Sequence, residues 1–230
     1  MKVVILQSNY IPWKGYFDLI HKADLFIYYD EVKYTKNDWR NRNRIYTKNG
    51  LQWISIPIAA DAVKKKISEV TVLDKKWQEL HFKSLMMGYK SARYFSQLEP
   101  LIHAIYRDHE WEKLIDIDRY CIEKISELLG IKTRFMDSSG LNLEGDRIDR
   151  LLNVLKQVDA TEYITGPSAR DYLQGSEHFF ADNQITLTYM DYHYPEYRQM
   201  SEPFEHGVSI LDLIANIELS EIKQYIWANR

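Results

Sequence analysis

Val3 to Leu6 is an unbroken apolar, largely β-branched run, which predicts a short strand buried on both faces in the middle of a parallel sheet. Pro12 punctuates the polar and aromatic stretch that follows, and Gly15 to Ala23 then carries Phe17, Leu19 and Ile20 at helical spacing. Leu25 to Tyr29 predicts a second strand that ends at Asp30, so the chain opens as a βαβ unit. Arg44 to Thr47 and Gln52 to Ile56 flank Lys48-Asn49-Gly50, a hairpin signal, and the alternation from Ile67 to Leu73 suggests a third strand beside it. From Trp77 to Leu129 the period turns helical, with breaks near Ser91 and Asp108 that divide it into three helices. Ile131 to Met136, Glu162 to Thr165 and Ile185 to Met190 return to strand character, while Ile148 to Val158 and Ile210 to Ile222 read as helices. No Pro/Gly/Ser-rich linker, repeat or low-complexity segment divides the chain. The pattern therefore predicts one α/β domain over residues 1–230: a mainly parallel, three-layer sheet with a β-hairpin excursion and a helical insertion at about 76–129.

Composition narrows the function classes. A net charge of −3 and a pI near 6.2 provide no field for polyanions, which argues against a dedicated nucleic-acid binder and leaves room for one phosphate-bearing ligand. Aromatic residues reach 13%, which fits either dense packing or a cleft that is partly apolar and partly wet. Cys121 is the single cysteine, so an internal disulfide and a thiolate metal site are both excluded, and a reducing compartment is expected. The start lacks a signal-peptide h-region and no apolar run is long enough to span a bilayer, so the expected location is cytoplasmic. The seven histidines show no HxH or HExxH spacing, and neither a metal nor a cofactor is expected. Absence of GxSxG, Walker and GxGxxG motifs removes the usual warrants for serine hydrolases, P-loop kinases and Rossmann dinucleotide enzymes.

Candidate chemistry concentrates at predicted strand ends. After the first strand, Gln7 and Asn9 offer amides, Tyr10, Trp13 and Tyr16 offer flat apolar surface, and the helix start near Lys14 offers unpaired N–H groups for an anionic group. An aromatic turn with polar caps is the structural alternative. After the second strand, Tyr28 to Arg44 mixes acids, bases, amides and rings, including Lys36 and Trp39. Arg40, Arg42 and Arg44 would share one face of an extended segment and Asn41 and Asn43 the other, and guanidinium forks suit phosphate or carboxylate. A solvated charge run is the plainer reading of the same residues, and RNA binding could use them too. Gly166-Pro167-Ser168 forms a third strand–loop–helix junction, with Ser168 as a candidate N-cap near an anion site. His193 follows the last predicted strand and is a general-base candidate, although a lone histidine is more often structural.

The run Gln7-Ser8-Asn9-Tyr10-Ile11-Pro12-Trp13-Lys14-Gly15-Tyr16-Phe17 resembles the QPxYxPWxGYF opening of the WbqC-like family. The resemblance continues through Ala23-Asp24, Asp30, Tyr34, Lys36, Trp39 to Arg44, Gly50, Trp53 to Pro57, His81, Ser138-Ser139, Gly166-Pro167, Tyr172, Pro195-Glu196-Tyr197 and Ser209 to Leu213. Two positions depart from it: Ser8 replaces the usual proline, and Ile214-Ala215-Asn216 replaces an aromatic-asparagine-glycine ending. The resemblance implies a role in O-antigen or other surface-polysaccharide biosynthesis, as a transferase placing an aminoacyl (glycyl) group on a nucleotide-linked amino sugar. For such a reaction the residues offer Asp30 or His193 as the base and Lys36, Asn41, Arg42 and Arg44 around the anionic part of the substrate, and with no ATP-activating motif in the sequence the acyl group is expected to arrive preactivated on an aminoacyl carrier. A non-catalytic nucleotide-sugar-binding or partner-docking protein of the same pathway is the alternative, and an RNA-binding accessory factor a weaker one. The strand, Pro-Trp-Lys-Gly-Tyr and helix order is also laid out like the HxGH region of nucleotidylyltransferases, with Trp13 and Tyr16 in place of the two histidines.

Overall fold

The computed structural model describes residues 1–227. Its strands are β1 (Lys2–Leu6), β2 (Leu25–Tyr28), β3 (Arg42–Thr47), β4 (Gly50–Ser55), β5 (Arg134–Asp137), β6 (Glu162–Thr165) and β7 (Thr186–Tyr189). The helices are α1 (Lys14–His21), α2 (Lys76–Tyr89), α3 (Phe95–Tyr106), α4 (Leu114–Leu128), α5 (Arg147–Gln157), α6 (Arg170–Leu173), α7 (Glu177–Asp182), α8 (Ile210–Asn216) and α9 (Lys223–Ile226). The chain is built from two compact units. Of the described residues, the first comprises 1–7, 18–31 and 131–193, and the second 8–17, 32–130 and 194–227.

The first unit is an open parallel sheet in the order β5-β2-β1-β6-β7. Val3 and Val4 of β1 are fully buried and Ile5 nearly so, which is why a run without polar alternation sits at the sheet's centre. Val3, Ile5, Leu25 and Ile27 form a core with Leu151, Leu152, Val154 and Leu155 of α5 and with Leu173 and Phe180. On the other face, by strand alternation, Phe26 meets Tyr28 and Phe135 edge-on at ring separations of 5.3 and 5.8 Å. Helix α5 starts where Asp146 accepts from the N–H groups of Ile148 and Asp149 at 2.7 and 3.0 Å, while Asp149 accepts from the N–H of Asp146 at 3.2 Å. The sheet's strand order reverses between β1 and β6, so the loops leaving these two neighbours run in opposite directions.

The second unit carries the antiparallel hairpin β3–β4 and the helices α2, α3 and α4 that the change of period predicted. Two expectations are corrected here. Ile67 to Leu73 is not a third strand: Ile67–Glu69 is a 3₁₀ turn, closed by the Glu69 carboxylate accepting from the N–H of Lys66 at 2.9 Å. The buried positions there are Ile67 and Val70, three apart, which is the spacing of a turn. Only isolated bridges follow, Val72 to Ile58 and Thr71 to Lys113. The C-terminal helix also stops earlier than its apolar pattern suggests, at Asn216, because the Gln97 amide donates to the carbonyls of Ile214 and Ile217 and serves the helix end.

Leu155 is fully buried against the sheet, so Leu155→Ala is expected to lower unfolding free energy by about 2–5 kcal/mol. Asp146→Ala, which removes only a cap, is expected to cost about 1 kcal/mol. Urea titration of both variants checks the ranking; an Asp146→Ala loss equal to or greater than that of Leu155→Ala contradicts the assigned core.

Candidate functional site

Because all five strands of the first unit are parallel, their carboxyl ends share one rim. Half-buried Gln7 follows β1, and fully buried Asp30 lies two residues beyond β2. Gly166 follows β6 directly, beside the switch point, and a Cβ added to it would meet only the Tyr192 hydroxyl, at 3.6 Å. Ser168 is exposed inside the 3₁₀ turn Pro167–Ala169, where Gly166 holds the N-cap position and no side chain caps, which corrects the capping role expected of Ser168. His193 follows β7; its Nε2 lies 2.9 Å from the Asp191 carboxylate, with the side chains 74% and 83% exposed. Sequence reasoning missed Asp191, although an acid two residues before a histidine on an extended segment was its signal. The rim therefore gathers an amide, a buried carboxylate, a backbone approach at glycine and a histidine oriented by an acid.

The motif loop of the second unit, residues 8–17, is built around three anchors. Tyr10 is fully buried, and its hydroxyl bonds His81 Nδ1 at 2.8 Å and the Tyr106 hydroxyl. Burial drops the His81 imidazole to about 4, so it is neutral at pH 7 and can accept from that hydroxyl. Asn43 donates to the carbonyls of Tyr10 and Ile11 at 2.9 and 2.8 Å, fixing the turn in which Ile11 holds a φ of 35°. The Trp13 ring lies across Gly15 so closely that a Cβ there would sit 2.2 Å from a ring carbon, which explains why glycine follows the Pro-Trp-Lys run. Tyr16 is buried against Phe17, and half-buried Asn9 accepts from the Arg40 guanidinium.

Lys14, which sequence reasoning left without a role, is 2% exposed. Its ammonium sits 4.9, 5.2 and 5.8 Å from the ring centres of Tyr194, Tyr197 and Phe204, and donates to the Pro195 carbonyl at 3.5 Å. Burial lowers the amine to about 8, and the charge of Asp212 works against that shift. Asp212 is fully buried; its Oδ2 accepts from the Tyr197 hydroxyl at 2.7 Å and the Gln199 amide at 2.9 Å, and the buried Tyr89 hydroxyl is a further hydrogen-bonding neighbour of the carboxylate. Burial pushes this carboxyl up to about 6, against the opposing pull of those bonds and of Lys14. A lone acid within Ile210-Leu211-Asp212-Leu213-Ile214 and a lone cation within an aromatic run were the signals for them.

The hairpin does not leave its arginines open in the way the alternating pattern suggested. Arg44 donates to the Gly207 carbonyl at 2.9 and 3.2 Å and to Glu205 at 3.3 Å. Arg42 donates to the Asn37 carbonyl and lies 4.5 Å over the Trp53 ring. Arg40 is buried outside the strand, bonded to Asn9 and Asp38. Asn41 accepts from the Tyr34 hydroxyl and donates to the Ile56 carbonyl, both at 2.8 Å. Trp39 and Trp53 stack at 5.4 Å and remain 39% and 51% exposed, and Lys36 is exposed. Among the described residues no cluster of three or more His, Cys, Asp and Glu is placed to hold a metal ion, and no helix is long and apolar enough to cross a membrane.

The model of the WbqC-like protein family matches residues 7–224, nearly the whole chain. The chain belongs to the WbqC-like family. It is 42% identical over 218 residues to the uncharacterized protein Rv1507c of Mycobacterium tuberculosis (strain ATCC 25618 / H37Rv), covering 94% of each chain. No solved structure matches this WbqC-like chain.

The Asp212 shift has a defined sign. Its folded pKa lies above the carboxylate's ordinary 3.8, so the folded form binds the extra proton, and this group's contribution to stability falls as pH rises from about 4 to about 6. Asp212→Asn, which can still accept from Tyr197 and Gln199, is expected to flatten that slope in urea midpoints measured across pH 4–7. A slope identical to wild type contradicts the assignment.

Proposed function

We propose that this WbqC-like chain is a cytoplasmic transferase of surface-polysaccharide (O-antigen type) assembly. On this reading it moves an aminoacyl group, in the simplest case glycyl, from an activated carrier to the amino group of a nucleotide-linked sugar. The observation that carries the reading is the rim of the parallel sheet, where Gln7, Asp30, Gly166 and the Asp191–His193 pair stand at strand carboxyl ends beside the switch point. Open α/β sheets hold ligands there, because the diverging loops leave a crevice lined by strand ends.

Amide formation needs the sugar's ammonium to lose a proton before its nitrogen attacks the acyl carbon. The C–N bond then forms, the acyl–carrier bond breaks, and the carrier leaves with the electron pair of that bond, taking up the second proton that the nitrogen sheds as it becomes an amide. His193, oriented through Nε2 by Asp191, accepts the proton at its other ring nitrogen; Asp30 is the second candidate for the same task. The acyl group arrives already activated, so the reaction requires no cofactor. Exposed Lys36 and Trp39, with Arg42 beside them, suit an anionic carrier. The high exposure of Asp191 and His193 favours a second reading in which the rim holds the nucleotide-linked sugar without turnover.

Mass spectrometry of wild-type protein with a panel of nucleotide-linked amino sugars and aminoacyl-carrier thioesters is expected to show an amide product. His193→Ala is expected to lower kcat by about 10²–10⁴-fold with sugar binding intact, and Asp191→Asn to lower it less. Binding without product under every donor leaves the second reading standing and removes the transferase.

A further inference from the structure

We infer that the rim of the first unit carries an arginine–tyrosine site for the nucleoside diphosphate, formed by Arg147 and Arg170 with Tyr29, Tyr172 and Tyr189. This rests on the reading that the acceptor sugar is nucleotide-linked, and it moves phosphate recognition away from the hairpin arginines. The topology brings these residues together: Tyr29 directly follows β2, Tyr189 ends β7, Arg170 opens α6 after β6, and Arg147 opens α5 after β5.

Tyr29 stays in register with the central strand through its N–H, which donates to the Leu6 carbonyl at 3.0 Å. The Arg147 guanidinium lies 4.6 Å over the Tyr172 ring, and that of Arg170 lies 4.1 Å over the Tyr189 ring. Arg147, Arg150 and Tyr172 all act electrostatically on the Tyr29 hydroxyl, so the four groups are near neighbours. Burial raises Tyr29 and Tyr189 above the ordinary phenol range, which keeps both hydroxyls as donors at neutral pH, and the Tyr189 hydroxyl has no hydrogen-bond partner.

The charge of these arginines is not spent within the fold. Arg150 gives its Nε to the Gly145 carbonyl at 2.9 Å, whereas among the described residues Arg147 and Arg170 are engaged only with the rings of Tyr172 and Tyr189. The acids nearest Arg147 in sequence, Asp146 and Asp149, are turned to capping α5, while Asp171 adjoins Arg170 in the first turn of α6. Glu177 acts electrostatically on Tyr189 and is a further acid near the cluster, as are Asp30 beside Tyr29 and Asp191 two residues after Tyr189. Two guanidinium forks held by ring faces suit a diphosphate, which they can grip bidentately, and the exposed Tyr172 ring offers a face for the base.

Isothermal titration with uridine, thymidine, cytidine, guanosine and adenosine diphosphates tests the site. Wild type is expected to bind at least one of them. Arg147→Gln/Arg170→Gln, both at exposed positions, is expected to weaken that binding about 10–100-fold, and Arg42→Gln to change it less than about twofold. Affinity unchanged in the double variant, or no diphosphate bound by wild type, overturns the site. The transfer assay on the same preparations separates the two proposals. Amide product without diphosphate affinity sinks the site and keeps the transferase, while diphosphate binding lost in the double variant without product sinks the transferase and keeps the site.

Discussion

Parallel pairing on both edges of β1 is the constraint from which the first unit follows. Val3 and Val4 are closed off on both faces, so their backbone groups must be satisfied by strands on either side: β2 pairs along Val3 to Leu6, and β6 along Lys2 and Val3. Parallel neighbours require crossover segments, which sends every strand's carboxyl end to the same rim. Reversal of strand order between β1 and β6 then parts the loops at that rim. Gln7, Asp30, Gly166, the Asp191–His193 pair and the arginine–tyrosine cluster owe their common location to this one arrangement.

The second unit shows what the WbqC-like opening motif does physically. Tyr10 is a core hydroxyl shared with His81 and Tyr106, Gly15 makes room for the Trp13 ring, and Lys14 is turned into three aromatic rings. From Asp212 the network runs through Gln199, which donates to the Glu205 carbonyl at 2.9 Å, and Glu205 in turn pairs with Arg44 at 3.3 Å. Lys14 of the motif and the C-terminal stretch that also carried the family resemblance thus belong to one partly buried polar network.

Much of the fold was legible because its signals are local. Unbroken apolar runs gave β1 and β2, and the period change gave α2, α3 and α4. The Asn-Gly turn marked the hairpin, and strand-end loops pointed to Gln7, Asp30, Gly166 and His193. What escaped depends on contacts between residues distant in sequence. Arginine alternation from Arg40 to Arg44 describes a face, but the Gly207 carbonyl and Glu205, more than 150 positions away, decide whether Arg44 is open. Alternation at Ile67 to Leu73 likewise cannot be told from a turn until the burial of Ile67 and Val70 is known. Arg147 and Arg170 carried no motif at all; only strand order brings them to one rim.

Amide hydrogen–deuterium exchange, with and without a uridine-diphosphate-linked amino sugar, tests most directly whether the ligand sits at the rim. The account predicts slowed exchange over residues 29–31, 166–173 and 189–193. Slowing confined to the hairpin, residues 39–55, with the rim unchanged, would contradict it.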